Sequence, residues 1–192
     1  MKENIEDYFS KLTEVLGKID IELISEAMEA ILAAYEREAT IYIFGNGGSA
    51  ATASHFVCDF NKGICVNLDK KFNMICLNDS VSMITAIAND LSYEDIFCSQ
   101  LDNKLNRDDL LIAISGSGNS KNIIKAVNYA KTVDCKVIGL TGYDGGELKK
   151  LADYHMDVGV DDMQITEDIH MVFDHMMYRV FTDYLNDRKA AN

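Results

Sequence analysis

The sequence predicts an α/β fold: a mostly parallel sheet held in a three-layer α/β/α sandwich, with two helices ahead of the first strand. Three observations carry this. Short β-branched runs alternate with amphipathic helical patterns along most of the chain, the order that builds parallel sheets covered on both faces. The first 37 residues carry helical spacing and no strand. Two strand ends run into Gly/Ser-rich loops and then directly into helices.

Each element has its own signal. Ile5, Tyr8, Phe9, Leu12 and Leu16 recur at helical spacing, as do Ile24, Ala27, Ile31 and Leu32, and the stretch Gly17-Lys18-Ile19-Asp20 separates the two helices. "TIYIF" is a first strand, followed by a helix from about Ser49 to Phe60. "FNMICL" is a second strand, with helical patterns through "SVSMITAIA" and "YEDIFCSQLDNKL". "DLLIAI" is a third strand, leading to a helix over "SKNIIKAVNYAKTV". "CKVIGLT" is a fourth, with a short helix near Glu147, and "YHMDVGV" is an edge strand. A closing helix runs from about Met163 to Leu185, its apolar stripe of Ile169, Phe173, Met176 and Val180 turned to the core. Neither a linker nor a composition shift interrupts the pattern, so residues 1–192 read as one domain, with residues 1–38 as a leading helical hairpin.

Composition narrows the function. A net charge of −13 opposes nucleic-acid binding, which needs clustered Lys/Arg. The charged, amphipathic start "MKENIEDYFSKL" is neither signal peptide nor anchor, and the expectation is a cytoplasmic protein with no membrane partner. Cys58, Cys65, Cys76, Cys98 and Cys135 are odd in number and form no CxxC pair, so they read as reduced, mostly buried small hydrophobes.

The two loops carry the chemistry. Gly45-Asn46-Gly47-Gly48-Ser49 and Ser115-Gly116-Ser117-Gly118-Asn119-Ser120 each end a strand and open a helix. Ligands bind at such strand ends, and free N–H groups and the helix dipole favour an anion there. Neither loop has the lysine of a P-loop. Gly45-x-Gly47-x-x-Ala50 matches a dinucleotide fingerprint, with Asp69 in range of its acidic partner, but that reading leaves Ser115, Ser117 and Ser120 unexplained. Serines without a basic residue suit the monophosphate of a small molecule.

Titratable residues gather on two helices. His55 and Asp59 stand four apart and share a face. The closing helix carries "EDIHMVFDH", where Glu167 and His175 lie eight apart, about 80° around the wheel. Glu167, His170 and Asp174 form a second aligned stripe, and periodicity does not choose between it and His175.

The segments "FGNGGSAATASHF", "LLIAISGSGNSKNIIKAV" and "VIGLTGYDGGEL", with the helix ending in His175, resemble the sugar isomerase (SIS) fold, which is flavodoxin-like. More narrowly they resemble bacterial phosphoheptose isomerases, which convert sedoheptulose 7-phosphate into a heptose 7-phosphate. The resemblance implies that Asn46, Gly47 and Ser49 line the site and that Ser115, Ser117 and Ser120 hold the phosphate. It implies substrate contacts for Asn89 and Asp90 in "TAIANDLSYEDIF". It also implies an acid/base pair in Asp59 and His175, with Glu167 as ligand or substitute base. The same family suggests a zinc site at His55, Asp59, Glu167 and His175, in a homotetramer whose sites form between subunits. Asp59 stands where the family usually has Glu, Glu167 where it usually has Gln, and a basic residue common after the first helix has no plain match, with Lys62-Gly63 in its region. Two histidines, an aspartate and a glutamate remain ordinary Zn²⁺ ligands. A second resemblance, in "TAIAND" and "LTGYDGGEL", is to a non-catalytic relative on this fold that binds the replication initiator. That type lacks a carboxylate and a histidine at the positions of Asp59 and His175.

Overall fold

Helix α1 (Lys2–Leu16) stops at Gly17, and α2 (Ile21–Glu36) starts on Asp20, whose carboxylate accepts from the backbone N–H groups of Glu22 and Leu23. Strand β1 (Thr40–Gly45) then enters the centre of the sheet in the computed structural model, which describes residues 1–191. Helix α3 (Gly48–Cys58), β2 (Asn73–Cys76), α4 (Val81–Asp90), α5 (Cys98–Leu101) and β3 (Leu110–Ser115) follow. Helix α6 (Lys121–Thr132), β4 (Lys136–Thr141), α7 (Gly146–Leu151), β5 (Tyr154–Asp157) and α8 (Met163–Ala191) complete the chain.

The five strands lie in the order β2-β1-β3-β4-β5, and every pair is parallel. Alternation along β1 shows why both faces must be covered. Ile41 and Ile43 join a core with Ile31 of α2, Phe56 of α3 and Phe173 of α8. Tyr42 and Phe44 point the other way, to Phe97, Leu101, Ile123, Val127 and Leu148. The order of connection reverses between β1 and β3, and both Gly/Ser loops leave the sheet there. A crevice opens at such a switch point, beyond the carboxyl ends of the strands.

Three local differences from the sequence reading have physical causes. Helix α3 ends at Cys58, and the next turn, Asp59–Gly63, is π-helical before a 3₁₀ turn at Ile64–Asn67. Tyr178 presses on Gly63, where a Cβ would lie 2.3 Å from its ring, so only glycine fits that turn. The run "YEDIFCSQLDNKL" forms a 3₁₀ turn at Tyr93–Asp95 and a four-residue helix, because Ile96, Phe97 and Leu101 are buried as anchors on the Phe44 core. Asn103, left-handed at φ 57°, follows that helix. In α8 the core stripe is Ile165, Ile169, Phe173, Met177 and Phe181, whereas Met176 is half-buried and Val180 is 45% exposed. Met176 and Val180 instead line an apolar groove of about 520 Å³ with Leu16, Ile21, Met28 and Tyr184. Among the described residues no helix is long and apolar enough to cross a membrane.

Candidate active site and metal cluster

The two Gly/Ser loops are joined by side chains. Asn46 and Asn122 exchange both amide hydrogen bonds, at 2.9 and 2.8 Å, and the Tyr93 hydroxyl donates to Asn46 Oδ1 at 3.0 Å. The first loop is therefore fixed to the start of α6 and to the turn after α4. Gly48 opens α3 with the Glu167 carboxylate against it, since a Cβ there would fall 2.4 Å from Oε2. Glu167 thus reaches the first turn of α3 only because residue 48 is glycine. Ser49, just behind, is buried.

In the second loop Ser115 is buried, its hydroxyl 3.4 Å from that of Ser120, and Ser117 and Ser120 are half-buried. Ser120 occupies the N-cap position of α6 but makes no side-chain capping bond. Its hydroxyl and the first N–H groups of the helix are thus available to an anion. The loop is tied from outside as well. The Leu148 N–H donates to the Gly118 carbonyl at 2.9 Å, and the Glu147 N–H donates to Asn119 Oδ1 at 3.1 Å.

A second cluster forms where α3 and its π-helical turn run beside α8. His55 Nε2 and His175 Nε2 are 3.2 Å apart. Asp59 Oδ2 lies 3.6 Å and Asp174 Oδ2 3.8 Å from His55 Nε2. These four ligand atoms all fall within 4.8 Å of one another. Both histidines are exposed, Asp59 is half-buried, and Asp174 is fully buried. Neither Asp174 oxygen has a hydrogen-bond partner. Burial, reinforced by the neighbouring Asp59 charge, pushes the Asp174 carboxyl up to about 7. A divalent metal ion fits this donor set, because it supplies the positive charge that the orphaned carboxylate lacks.

The structure therefore brings His55, Asp59 and His175 together and leaves Glu167 out of that cluster, at the other end of α3. Asn46, Gly47 and Ser49 sit on the first loop, and Ser115, Ser117 and Ser120 on the second. Asn89 and Asp90 are exposed at the end of α4, where Asn89 donates to the Asp90 carboxylate at 2.8 Å. Asp69 is 98% exposed and pairs with Lys189, away from the loops, so it serves no dinucleotide fingerprint. His170 is a core histidine: its Nε2 meets the Thr141 carbonyl at 3.3 Å, and burial holds it down at about 4. The five cysteines are unpaired, and burial pushes the Cys76 and Cys135 thiols up to about 12, which leaves them poor nucleophiles. Asp174 is the residue the sequence reading left undecided. Its position in the helical stripe was visible, but its neighbours across the helix pair were not.

Comparison with known proteins agrees with this geometry. Residues 7–142 match the family model of the SIS domain. A phosphoheptose isomerase of Helicobacter pylori (strain P12) is 37% identical over 157 residues, covering 81% of both chains. One from Aliarcobacter butzleri is 34% identical over 190 residues, covering 97% of this chain and 100% of its own. The solved phosphoheptose isomerase of Neisseria gonorrhoeae superposes with a TM-score of 0.87 at 29% identity, covering 95% of this chain and 98% of that one.

Proposed function

We propose a specific reaction for this chain, which belongs to the SIS domain family and is a phosphosugar aldose–ketose isomerase: the interconversion of sedoheptulose 7-phosphate and a heptose 7-phosphate. The observation that carries the assignment of roles is the meeting of His55, Asp59 and His175 on two helices, one of which starts at the first switch-point loop. The phosphate rests on Ser115, Ser117, Ser120 and the start of α6, with Asn46, Gly47 and Ser49 lining the sugar. Asn89 and Asp90 supply further substrate contacts. Gly48 and His55 are seven residues apart, about 10 Å along a helix axis, which suits an extended sugar phosphate better than a short fragment.

In the ketose-to-aldose direction Asp59 takes a proton from C1, giving an enediolate, and the proton is returned to C2. The hydroxyl proton leaves O1 and one is delivered to O2, so the carbonyl moves from C2 to C1 with no net change in atoms or electrons. His175 carries that oxygen-bound proton, since an imidazole ring has one nitrogen that can accept and one that can donate. Glu167, against the first turn of α3, is placed to contact the substrate or replace Asp59 as base. His55, Asp59, His175 and a carboxylate of α8 would hold a Zn²⁺ ion, which would supply positive charge to polarise the carbonyl oxygen.

The assembly is a homotetramer with sites completed between subunits. The apolar groove between α2 and α8 and the exposure of His55 and His175 support this. The five unpaired cysteines support a reducing, cytoplasmic setting. Retention of a carboxylate and a histidine at residues 59 and 175 sets the chain apart from the non-catalytic initiator-binding type.

The test is steady-state kinetics with sedoheptulose 7-phosphate. Asp59→Asn and His175→Ala each lower kcat by about a hundred- to ten-thousand-fold and change KM little. Wild-type turnover by His175→Ala removes that residue from the mechanism.

A further inference from the structure

We infer that Asp174, and not Glu167, is the fourth protein ligand of the metal, so that one chain supplies the complete set His55, Asp59, Asp174 and His175. The inference deepens the metal reading proposed above and rests on it. Three observations on the page lead there.

The first is spacing. Ligand atoms about 2.1 Å from a tetrahedral ion lie about 3.4 Å from one another. From His55 Nε2 the other three donors stand at 3.2, 3.6 and 3.8 Å, around that edge length. All four lie within 4.8 Å of one another, close enough to converge on one ion.

The second is the state of Asp174. Its side chain is 0% exposed, and both oxygens lack a hydrogen-bond partner. A carboxylate withdrawn from water without a partner is unfavourable, and Asp174 differs in this from the other buried aspartate. Asp109, also buried, accepts from the backbone N–H groups of Thr40 and Asn106. Asp174 instead points at two imidazoles and a second carboxylate. With Asp59 it brings two negative charges, which balance a divalent cation bound beside neutral histidines.

The third is the place of Glu167. Its carboxylate packs on Gly48, at the opposite end of α3 from Asp59. On α8 it lies eight residues from His175, about 12 Å along the axis, whereas Asp174 is the adjacent residue. Glu167 is thus left to face the substrate loops.

The experiment measures metal content and affinity on purified, intact protein, stripped with chelator and then titrated with Zn²⁺. Co²⁺ replaces Zn²⁺ in a parallel series, so that its visible absorption reports the ligand set without reference to activity. The expected result is one ion per chain in wild type and in Glu167→Ala, which removes any donor atom at that position, with matching Co²⁺ spectra. Asp174→Asn, which preserves shape, should lose at least about a hundred-fold in Zn²⁺ affinity, and Asp174→Leu should bind no ion tightly. Metal-free circular dichroism and melting confirm that each variant is folded; Asp174→Asn should melt no lower than wild type, because a buried unpartnered carboxylate has gone. The inference is overturned if Glu167→Ala loses the ion while Asp174→Asn retains it. A wild-type chain that binds no ion overturns this inference and the metal reading together. Turnover of the sugar phosphate, measured separately, tells that outcome apart from failure of the isomerase assignment.

Discussion

Gly118 and Gly159 offer a matched pair of substitutions that tests how the phosphate loop is held. Both residues have left-handed backbones, at φ +66° and +64°. Alanine at either position incurs the same conformational cost, about 1 kcal/mol. Their surroundings differ. A Cβ at Gly159 meets nothing within 4 Å, whereas one at Gly118 would fall 2.0 Å from the Gly145 carbonyl oxygen and 2.5 Å from its carbon. Those are backbone atoms, so the loop or the Gly145-Gly146 turn must move, and overpacking of that kind costs about 1–3 kcal/mol more. Gly159→Ala should thus lose about 1 kcal/mol and Gly118→Ala about 3 kcal/mol. For a chain of this size these correspond to Tm shifts of about 2–4 °C and about 6–12 °C. Thermal unfolding followed by circular dichroism, at one protein concentration because assembly contributes to Tm, reads the difference. Because the displaced segment carries Ser117 and Ser120, Gly118→Ala should also raise KM for the sugar phosphate, and Gly159→Ala should not. Equal melting shifts in the two variants would refute the claim that the loop is locked by its contact with Gly145.

Other consequences can be measured as directly. The folded state holds His170 at about 4, below its unfolded value, so its stability contribution is complete above about pH 6.5 and is lost as pH falls towards 4. The loss is about 3 kcal/mol, and His170→Gln should flatten that part of the urea-denaturation pH profile relative to wild type. Ser120→Ala removes a hydroxyl that caps nothing in the free protein; KM should rise about tenfold with little change in melting. Asn122→Ala breaks the paired amide bonds to Asn46 and should cost about 1–3 kcal/mol in denaturant unfolding, with weaker substrate binding. Light scattering should give a tetramer, and Val180→Asp in the α2–α8 groove should shift it to smaller species.

Much of this architecture was legible before any coordinates. "TIYIF" and "DLLIAI" read as parallel strands because apolar runs alternate with amphipathic helices, and they pair with each other inside the sheet. The loop serines were legible from their place after a strand, and the His55–Asp59 pair from its four-residue spacing. Other features depended on tertiary contacts that periodicity does not carry. The π-helical turn at Asp59 is set by Tyr178 reaching Gly63 from α8, more than a hundred residues later. The α8 stripe was placed correctly at Ile169 and Phe173 and one position off after them. Met176 and Val180 are apolar at helical spacing, yet the sheet is covered by Met177 and Phe181. Asp174, next to the core residue Phe173, is buried and faces His55 because of how α8 packs on α3, which its own sequence does not carry.

The most direct test of the account is to incubate the zinc-supplied protein with sedoheptulose 7-phosphate and follow the sugar by NMR. The account predicts new anomeric signals of an aldose 7-phosphate growing to equilibrium, and near-complete loss of that conversion in Asp59→Asn. A ketose spectrum that stays unchanged, or equal conversion by the variant, would contradict it.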